Sequence, residues 1–145
     1  MIQLYNIIIL GIIISIIYYE ITEISPGGII VPGYIALYMN QPDRVIFTII
    51  LSLLTLMIVN LLSKYIIIYG KRRFGITIII GLILKIAIQK SIGYFSLPLV
   101  LATTSIGFIV PGLIAQDINR QGILKTLSSM VLVSSIVKLV DILLV

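Results

Sequence analysis

Residues 1–20 have the sequence MIQLYNIIILGIIISIIYYE, and the first nineteen of them carry no charged side chain. A helix of about 20 apolar residues crosses the roughly 30 Å hydrocarbon core of a bilayer, so this stretch predicts a membrane-spanning helix. The rest of the 145-residue chain is similar, because 60% of its residues are hydrophobic and only 10% are charged. Soluble domains have about 25% charged residues. Length and composition therefore predict a multi-pass membrane protein, with no room for a separate soluble domain.

Three further long stretches are predicted to cross the membrane. Residues 45–63 carry no charge at all. Residues 74–87 form a third span provided that Lys85 faces protein or water, and residues 123–145 form a fourth. We therefore expect four long spans, with Lys85 as an intramembrane cation that faces the interior of the helical bundle.

Two shorter apolar stretches, residues 27–39 and 97–116, match each other. A shift of 79 residues aligns GIIVPGYIALYMNQ (28–41) with GFIVPGLIAQDINR (107–120), and eight of the fourteen positions are identical. Because proline lacks an amide N–H and glycine relaxes the backbone, each Pro-Gly pair predicts an interrupted helix. The repeated broken-helix motifs consist of Pro32, Gly33 and Asn40 in the first half and Pro111, Gly112 and Asn119 in the second.

The duplication predicts an all-α, multi-pass transmembrane helical bundle. We expect a single transmembrane domain, 1–145, with two internally repeated halves, about 1–70 and 74–145, each with a Pro-Gly-broken segment. If the short segments re-enter the membrane, the protein has four spans and parallel halves; if they cross, it has six passes and inverted halves. The positive-inside bias favours six passes, because six passes place most basic residues on one side of the membrane. Length favours four spans, because residues 27–39 are too few to cross the bilayer alone.

Interrupted helices at corresponding positions of two halves indicate a functional site in duplicated transporters, although such kinks are also common in purely structural helices. Arg44 and Arg120 follow the two motifs, and a guanidinium group binds carboxylate or phosphate with two parallel hydrogen bonds. Arg44, Lys85 and Arg120 are therefore candidate contacts for a polyanion or a charged partner. The alternative is that the two arginines extend their charged ends to the membrane interface.

The net charge is +5, from ten Lys and Arg against five Asp and Glu. In a membrane protein this excess favours anionic lipid or an anionic substrate, and no nucleic acid is expected as a partner. Lys71, Arg72 and Arg73 form the cluster of basic residues that dominates the orientation signal, so we expect them to be cytoplasmic. They are candidates for docking a cytoplasmic partner or for holding lipid.

The residue types exclude much chemistry. The chain contains no Cys and no His, which removes thiolate and imidazole metal sites and the Ser-His-Asp triad. No G-x-x-x-x-G-K-[ST] sequence is present, so we expect no ATP site. We predict no catalytic, cofactor-binding or metal-binding residues in this chain. Thr48, Ser52 and Thr55 form a polar stripe of the kind that joins membrane helices.

Several motifs occur in an order that resembles the CapC/PgsC family, the small integral membrane subunit of bacterial poly-γ-glutamate synthase. The resemblance covers almost the whole chain. The matching segments are Thr22-Glu23 followed by Pro26, VPGYIAL (31–37), NQP (40–42), YGKRRF (69–74), GFIVPGLIA (107–115) and RQG (120–122).

The resemblance implies a multi-pass protein of the bacterial plasma membrane. It also implies two partners, a cytoplasmic ATP-dependent amide ligase subunit, CapB/PgsB, which would hold ATP and Mg, and a membrane-anchored subunit, CapA/PgsA. The expected function is to anchor or assist the ligase and to contribute to the synthesis and export of anionic poly-γ-glutamate, without an evident catalytic site of its own. A free-standing small transporter or channel remains the alternative, and a purely structural role of the motifs is a third possibility.

Overall fold

The structure is a computed structural model that describes residues 2–67, 69–93 and 109–144, and within these ranges helices are the only regular secondary structure. The helices are α1 (Ile2–Thr22), α2 (Val31–Leu37), α3 (Pro42–Tyr65), α4 (Lys71–Gly93), α5 (Val110–Gln121) and α6 (Ile123–Leu144). In the described part of the chain, four of them, α1, α3, α4 and α6, are long and apolar enough to cross a membrane. The predicted all-α class with four long helices is therefore confirmed.

Helix boundaries follow local sequence signals. Pro42 begins α3, where its missing N–H removes no helical hydrogen bond, and Asp43 in the first turn and Lys64 in the last turn complement the helix dipole. The third span is longer than predicted, because Lys71 begins α4 and the basic cluster forms its first turn. Gly122 separates α5 from α6 with a φ of 100°, a conformation that glycine adopts without steric strain.

The first Pro-Gly pair lies at the start of a helix and not at an interruption within one. Pro32 is in the first turn of α2, where proline is tolerated, and residues 23–30 before it form a loop. Gly27 and Gly28 in this loop have φ values of 85° and 115°. The second pair likewise follows the first residue of α5, Val110. Residues 97–108 of the second predicted segment lie outside the described ranges.

The chain divides into two compact units. The first comprises residues 1–40 and 117–145, and so contains α1, α2, the end of α5 and α6. The second comprises residues 41–116, with α3, α4 and the first seven residues of α5. The units differ from the halves proposed from the sequence, 1–70 and 74–145. The first unit combines α1 and α2 of the first half with α6 of the second half. The second unit combines α4 and most of α5 of the second half with α3 of the first half.

The first unit has an apolar interior. Helix α1 packs against α2 and α6, and α2 packs against α6. The interior consists of Ile7, Ala36, Val133 and Val137, with Leu10, Ile14, Tyr18 and Leu37 packed around them. In the second unit, α3 packs against α4. Large apolar side chains are exposed on the outside of all four long helices, as suits a surface that contacts lipid.

Candidate functional site

In the first unit, the Pro-Gly pair brings the start of α2 into backbone contact with α1. A Cβ atom on Gly11 would lie 2.4 Å from the Gly33 Cα, and one on Gly33 would lie 3.2 Å from the Ile8 Cα. Only glycine fits at such a crossing, because any side chain would separate the two helices. Pro32 is buried beside this contact. The motif residues Pro32 and Gly33 therefore have a packing role here.

The second unit contains a similar contact between α5 and α4. A Cβ atom on Gly112 would lie 2.9 Å from the Ile78 Cα, and one on Gly81 would lie 3.4 Å from the Gly112 nitrogen. Pro111 is buried, as Pro32 is. In each unit the glycine that follows the proline thus lies against a glycine in the middle of a long apolar helix.

Ser25 attaches the loop after α1 to the end of α5 and the start of α6. Its N–H donates to Gln121 Oε1 at 3.0 Å, and the Gln121 amide donates in return to the Ser25 carbonyl oxygen. The Ser25 hydroxyl donates to Asp117 Oδ2 at 2.5 Å and accepts the Gly28 N–H at 3.2 Å. The Ser129 hydroxyl donates to the Ser25 carbonyl oxygen at 3.4 Å. This polar junction of the first unit satisfies loop backbone groups that the surrounding apolar helices cannot.

Asp117 is the acidic member of the junction and is only 7% exposed. Burial raises the pKa of its carboxyl group, because removing the carboxylate from water disfavours the charged form. The hydrogen bond from Ser25 and the positive charge of Arg120 lower the pKa and oppose this effect in part. The junction therefore contains a carboxyl group whose protonation depends on both a loop and a nearby arginine.

Polar side chains are buried in the second unit. Thr48, Ser52 and Thr55 on α3 are all at most 1% exposed, and the Thr55 Cγ2 would lie 3.7 Å from a Cβ on Gly81 of α4. On α4, Thr77 is 1% exposed and Lys85 is 4% exposed. Lys85 is thus buried, as the sequence predicts.

The basic cluster at the start of α4 divides into two kinds of residue. Lys71 and Arg72 are exposed. Arg73 is half-buried, and its guanidinium donates to Asn60 Oδ1 on α3 at 2.8 Å. Arg73 therefore stabilises the α3–α4 pair, whereas Lys71 and Arg72 extend outward, where a partner or lipid can bind them.

The remaining predicted residues lie at helix ends. Asn40 is exposed just before α3, and Arg44 is half-buried in the first turn of that helix. Asn119 and Arg120 are exposed in the last turn of α5, and Arg120 is close enough to Asp117 for their charges to interact. Their contact with a polyanion or partner stays a prediction.

Sequence reasoning missed the polar junction. Ser25 and Gln121 are 96 residues apart and have no spacing that links them. The preceding Thr22-Glu23 and the following Pro-Gly-Gly indicate a loop, but nothing local indicates what the loop contacts. Within the described residues, no three carboxylates come together in a way that could hold a metal ion.

These features define a class: helical membrane proteins in which short helices that begin with a Pro-Gly pair cross glycines of long apolar helices. The chain belongs to the capsule biosynthesis CapC family, whose pattern matches residues 10–127. It is 44% identical to the PGA biosynthesis protein CapC of Bacillus subtilis (strain 168), over 91% of this chain and 89% of the relative. It is 41% identical to the capsule biosynthesis protein CapC of Bacillus anthracis, with the same coverage of both chains. No solved structure matches.

Proposed function

We propose that this chain is a membrane subunit of a poly-γ-glutamate synthase complex in the bacterial plasma membrane. The observation that carries the proposal is the identity of 41 to 44% with relatives named for PGA or capsule biosynthesis, which extends over 91% of the chain. The family match, residues 10–127, spans both glycine crossings and the residues Ser25, Asp117 and Gln121 of the polar junction.

The proposed role is to anchor and assist a cytoplasmic ligase. The ATP-dependent amide ligase subunit, CapB/PgsB, supplies ATP, Mg and the bond-forming chemistry, and CapA/PgsA is a further membrane-anchored partner. Lys71 and Arg72 support this role, because they are exposed at the start of α4. Two neighbouring cations at the end of a membrane helix suit an acidic surface on a docking partner.

The proposal includes assistance to polymer export. Poly-γ-glutamate carries a carboxylate on every residue, so its path requires cations or polar groups. Arg44 lies in the first turn of α3, shortly after the first Pro-Gly helix, and Arg120 lies in the last turn of α5, the second Pro-Gly helix. Both arginines are the proposed contacts for the emerging polymer. The net charge of +5 favours attraction of such a polyanion.

Copurification tests the proposal. The full chain with an affinity tag is isolated in mild detergent from cells that express the ligase subunit, and a Lys71→Glu/Arg72→Glu variant is isolated in parallel. We expect the ligase to copurify with the native chain and to be depleted with the variant. A deletion strain that produces normal polymer would contradict the proposal.

The second candidate function is a free-standing small transporter or channel. The observation that favours it is that, in both units, a short helix beginning with Pro-Gly crosses a glycine of a long helix. Short or Gly/Pro-interrupted segments at corresponding positions of two halves are common in transporters. The purified chain alone in liposomes distinguishes the two functions. Uptake of an anion without any partner would support the transporter, and uptake that requires the ligase would support the synthase subunit.

A further inference from the structure

The two short helices lie in the same way on two long helices. Residues 7–20 of α1 and residues 77–90 of α4 show the same succession of buried, half-buried and exposed side chains. Residues 31–37 of α2 and residues 110–116 of α5 also match in this way. In both units, the glycine after the proline lies against the corresponding turn of the long helix. The placement of a short helix that is observed in one unit therefore applies to the other.

Both Pro-Gly pairs lie near the middle of a long helix. In the second unit, Gly112 lies against Ile78 and Gly81, close to the centre of α4. In the first unit, Gly33 lies against Gly11, halfway along α1. Helices α1 and α4 are long and apolar enough to span the bilayer, and the middle of such a helix lies near the midplane. Both short helices therefore begin near the midplane of the membrane.

The contacts of α5 show which way it runs from the midplane. Gln116 follows Gly112 by one helical turn, and its Oε1 atom lies 3.4 Å from Thr77 Oγ1. Because Thr77 precedes Gly81 by one turn, α5 runs back toward the start of α4. The nine residues from Gly112 to Gln121 rise about 13 Å along the helix axis, which matches the distance from the glycine contact back to the start of α4. Helix α5 therefore ends near the level at which α4 begins.

The first segment is long enough to cross when part of it is not helical. By the correspondence between the units, α2 runs from the midplane toward the start of α1. The eight residues before it, 23–30, lie outside helices, and eight extended residues span up to about 26 Å, which exceeds half of the hydrocarbon core. The seven residues of α2 add about 10 Å in the other half. A continuous helix over residues 27–39 is too short, but this combination is not.

The loop before α2 suits a position inside the membrane. Irregular backbone is tolerated at that depth where protein covers it. Pro26 and Gly27 are buried, and the N–H groups of Ser25 and Gly28 are hydrogen-bonded within the polar junction. The loop therefore has the cover that a non-helical half of a crossing requires.

We propose that both Pro-Gly segments cross the membrane, with α2 and α5 as the helical halves of the two crossings, so that the chain makes six passes and its two halves have opposite orientations. In the alternative, each segment re-enters and leaves on the side from which it came. A re-entrant second segment would require α5 to run toward the end of α4, whereas Gln116 contacts Thr77 on the side of its start. Interrupted helices at corresponding positions of inverted halves are an established architecture of membrane proteins.

The distribution of charge supports the same topology. With both segments crossing, the exposed Lys71, Arg72, Arg120 and Lys125 lie on one side of the membrane and Lys90 lies on the other. A re-entrant second segment would separate the first two of these cations from the next two. Because basic residues concentrate on the cytoplasmic side, the crossing topology agrees better with this bias and makes the side of the basic cluster cytoplasmic.

The inference does not depend on the proposed function, because it concerns only the path of the chain through the membrane. A six-pass chain that fails to copurify with the ligase would leave the topology standing and contradict the function. Re-entrant segments in a chain that does copurify with the ligase would do the reverse. If both hold, Arg120 lies on the ligase side of the membrane and Arg44 lies on the opposite side, where the polymer is delivered.

Single cysteines on either side of each segment test the proposal. The native chain has no cysteine, and exposed uncharged residues flank both segments, Thr22 and Asn40 the first and Ser91 and Leu124 the second. Each cysteine variant of the full chain is labelled with an impermeant maleimide in intact cells and again after the cells are opened. We expect Asn40→Cys and Ser91→Cys to react in intact cells, and Thr22→Cys and Leu124→Cys to react only after opening.

Tyr69→Cys is the matched control. Tyr69 is exposed, and together with Asn40 it flanks α3, which crosses the membrane in both topologies. Its thiol should therefore react from the side opposite to that of Asn40→Cys in either case. Reaction of every variant after opening shows that each thiol is accessible, so a lack of reaction in intact cells identifies an inside position. Reaction of both members of either pair from the same side would overturn the proposal.

Discussion

At the residue scale, Asp117 shows how one buried carboxyl group can make a loop contact sensitive to pH. Asp117 accepts a hydrogen bond from the Ser25 hydroxyl, and this bond links it to the loop before α2. Burial raises its pKa, and Ser25 and Arg120 lower it in part. The folded state therefore binds a proton at this group more tightly than the unfolded chain does.

This residue predicts a pH dependence with a definite sign. For an acid whose pKa is raised by folding, the stabilisation is complete below the unfolded value of about 4 and is lost as the pH rises through the folded value. We expect Asp117→Asn, which keeps an acceptor for Ser25, to gain thermal stability over the native chain as the pH rises from 4 to 8. Melting in detergent across this range measures the difference, with exposed Asp43→Asn as the control. A constant difference across the range would argue against the burial of a titrating carboxyl group.

At the element scale, the short helices are positioned by glycine contacts of unequal closeness. A Cβ on Gly11 would approach the Gly33 Cα at 2.4 Å, whereas one on Gly81 would approach the Gly112 nitrogen at 3.4 Å. In the first crossing the neighbouring atoms are backbone, so the helices themselves must move to admit a methyl group. For a methyl group at Gly81 in the second crossing, a shift of a few tenths of an ångström is enough.

The difference predicts graded effects of alanine. Gly11→Ala is expected to destabilise the protein by about 1 to 3 kcal/mol, as overpacking of a tight interior does. Gly81→Ala is expected to have a smaller effect. Gly75→Ala is the control, because a Cβ there meets nothing within 4 Å and alanine favours helix over glycine by about 1 kcal/mol. Thermal unfolding in detergent ranks the three variants, and an equal loss in Gly11→Ala and Gly81→Ala would contradict these helix contacts.

At the scale of the whole molecule, two compact units are built from segments that are interleaved along the chain. Residues 1–40 and 117–145 form one unit, and residues 41–116 form the other. The helices at the two ends of the chain, α1 and α6, therefore pack together in the first unit. The basic cluster at the start of α4 belongs to the second unit, and its side of the membrane sets the orientation of α3 and α4.

Orientation can be measured with a single cysteine. The chain has no cysteine of its own, so Arg72→Cys carries one reactive thiol. We expect this thiol, exposed at the start of α4, to be cytoplasmic, because basic clusters between spans are retained inside. An impermeant maleimide should label it only after the cells are opened. Ready labelling in intact cells would reverse the orientation, and a cysteine in place of exposed Asn40 provides a second position for comparison.

Polymer yield tests the two arginines at helix ends. Arg44→Gln and Arg120→Gln are expected to reduce yield more than the corresponding lysine variants, because lysine keeps the charge but not the planar pair of donors. Yield and copurification of the ligase are measured together. Reduced yield with an intact complex would indicate the path of the polymer, whereas reduced copurification would indicate a partner interface. Normal yield from both glutamine variants would assign the arginines to the membrane surface.

The long helices can be predicted from the amino-acid sequence alone. Hydrophobic length is a local property, so the uncharged run at 45–63 was enough to predict α3, and residues 123–145 predicted α6. The two Pro-Gly pairs were also identified from the sequence, although Pro32 proved to lie at the start of a helix, which proline tolerates as readily as a loop. Burial of Lys85 was predicted because a cation in mid-span is costly unless it faces protein.

The sequence does not predict which helices pack together, and the folded structure is needed to identify these pairs. Ser25 bonds to Gln121 across 96 residues, and no local pattern encodes that distance. The same is true of the pairing of Gly11 with Gly33 and of Gly81 with Gly112, because glycine carries no side chain whose chemistry could indicate a partner. The combination of α6 with α1 and α2 likewise depends on complementary surfaces of whole helices. Whether two helix surfaces are complementary depends on how their side chains pack in three dimensions, so it cannot be read from either helix alone.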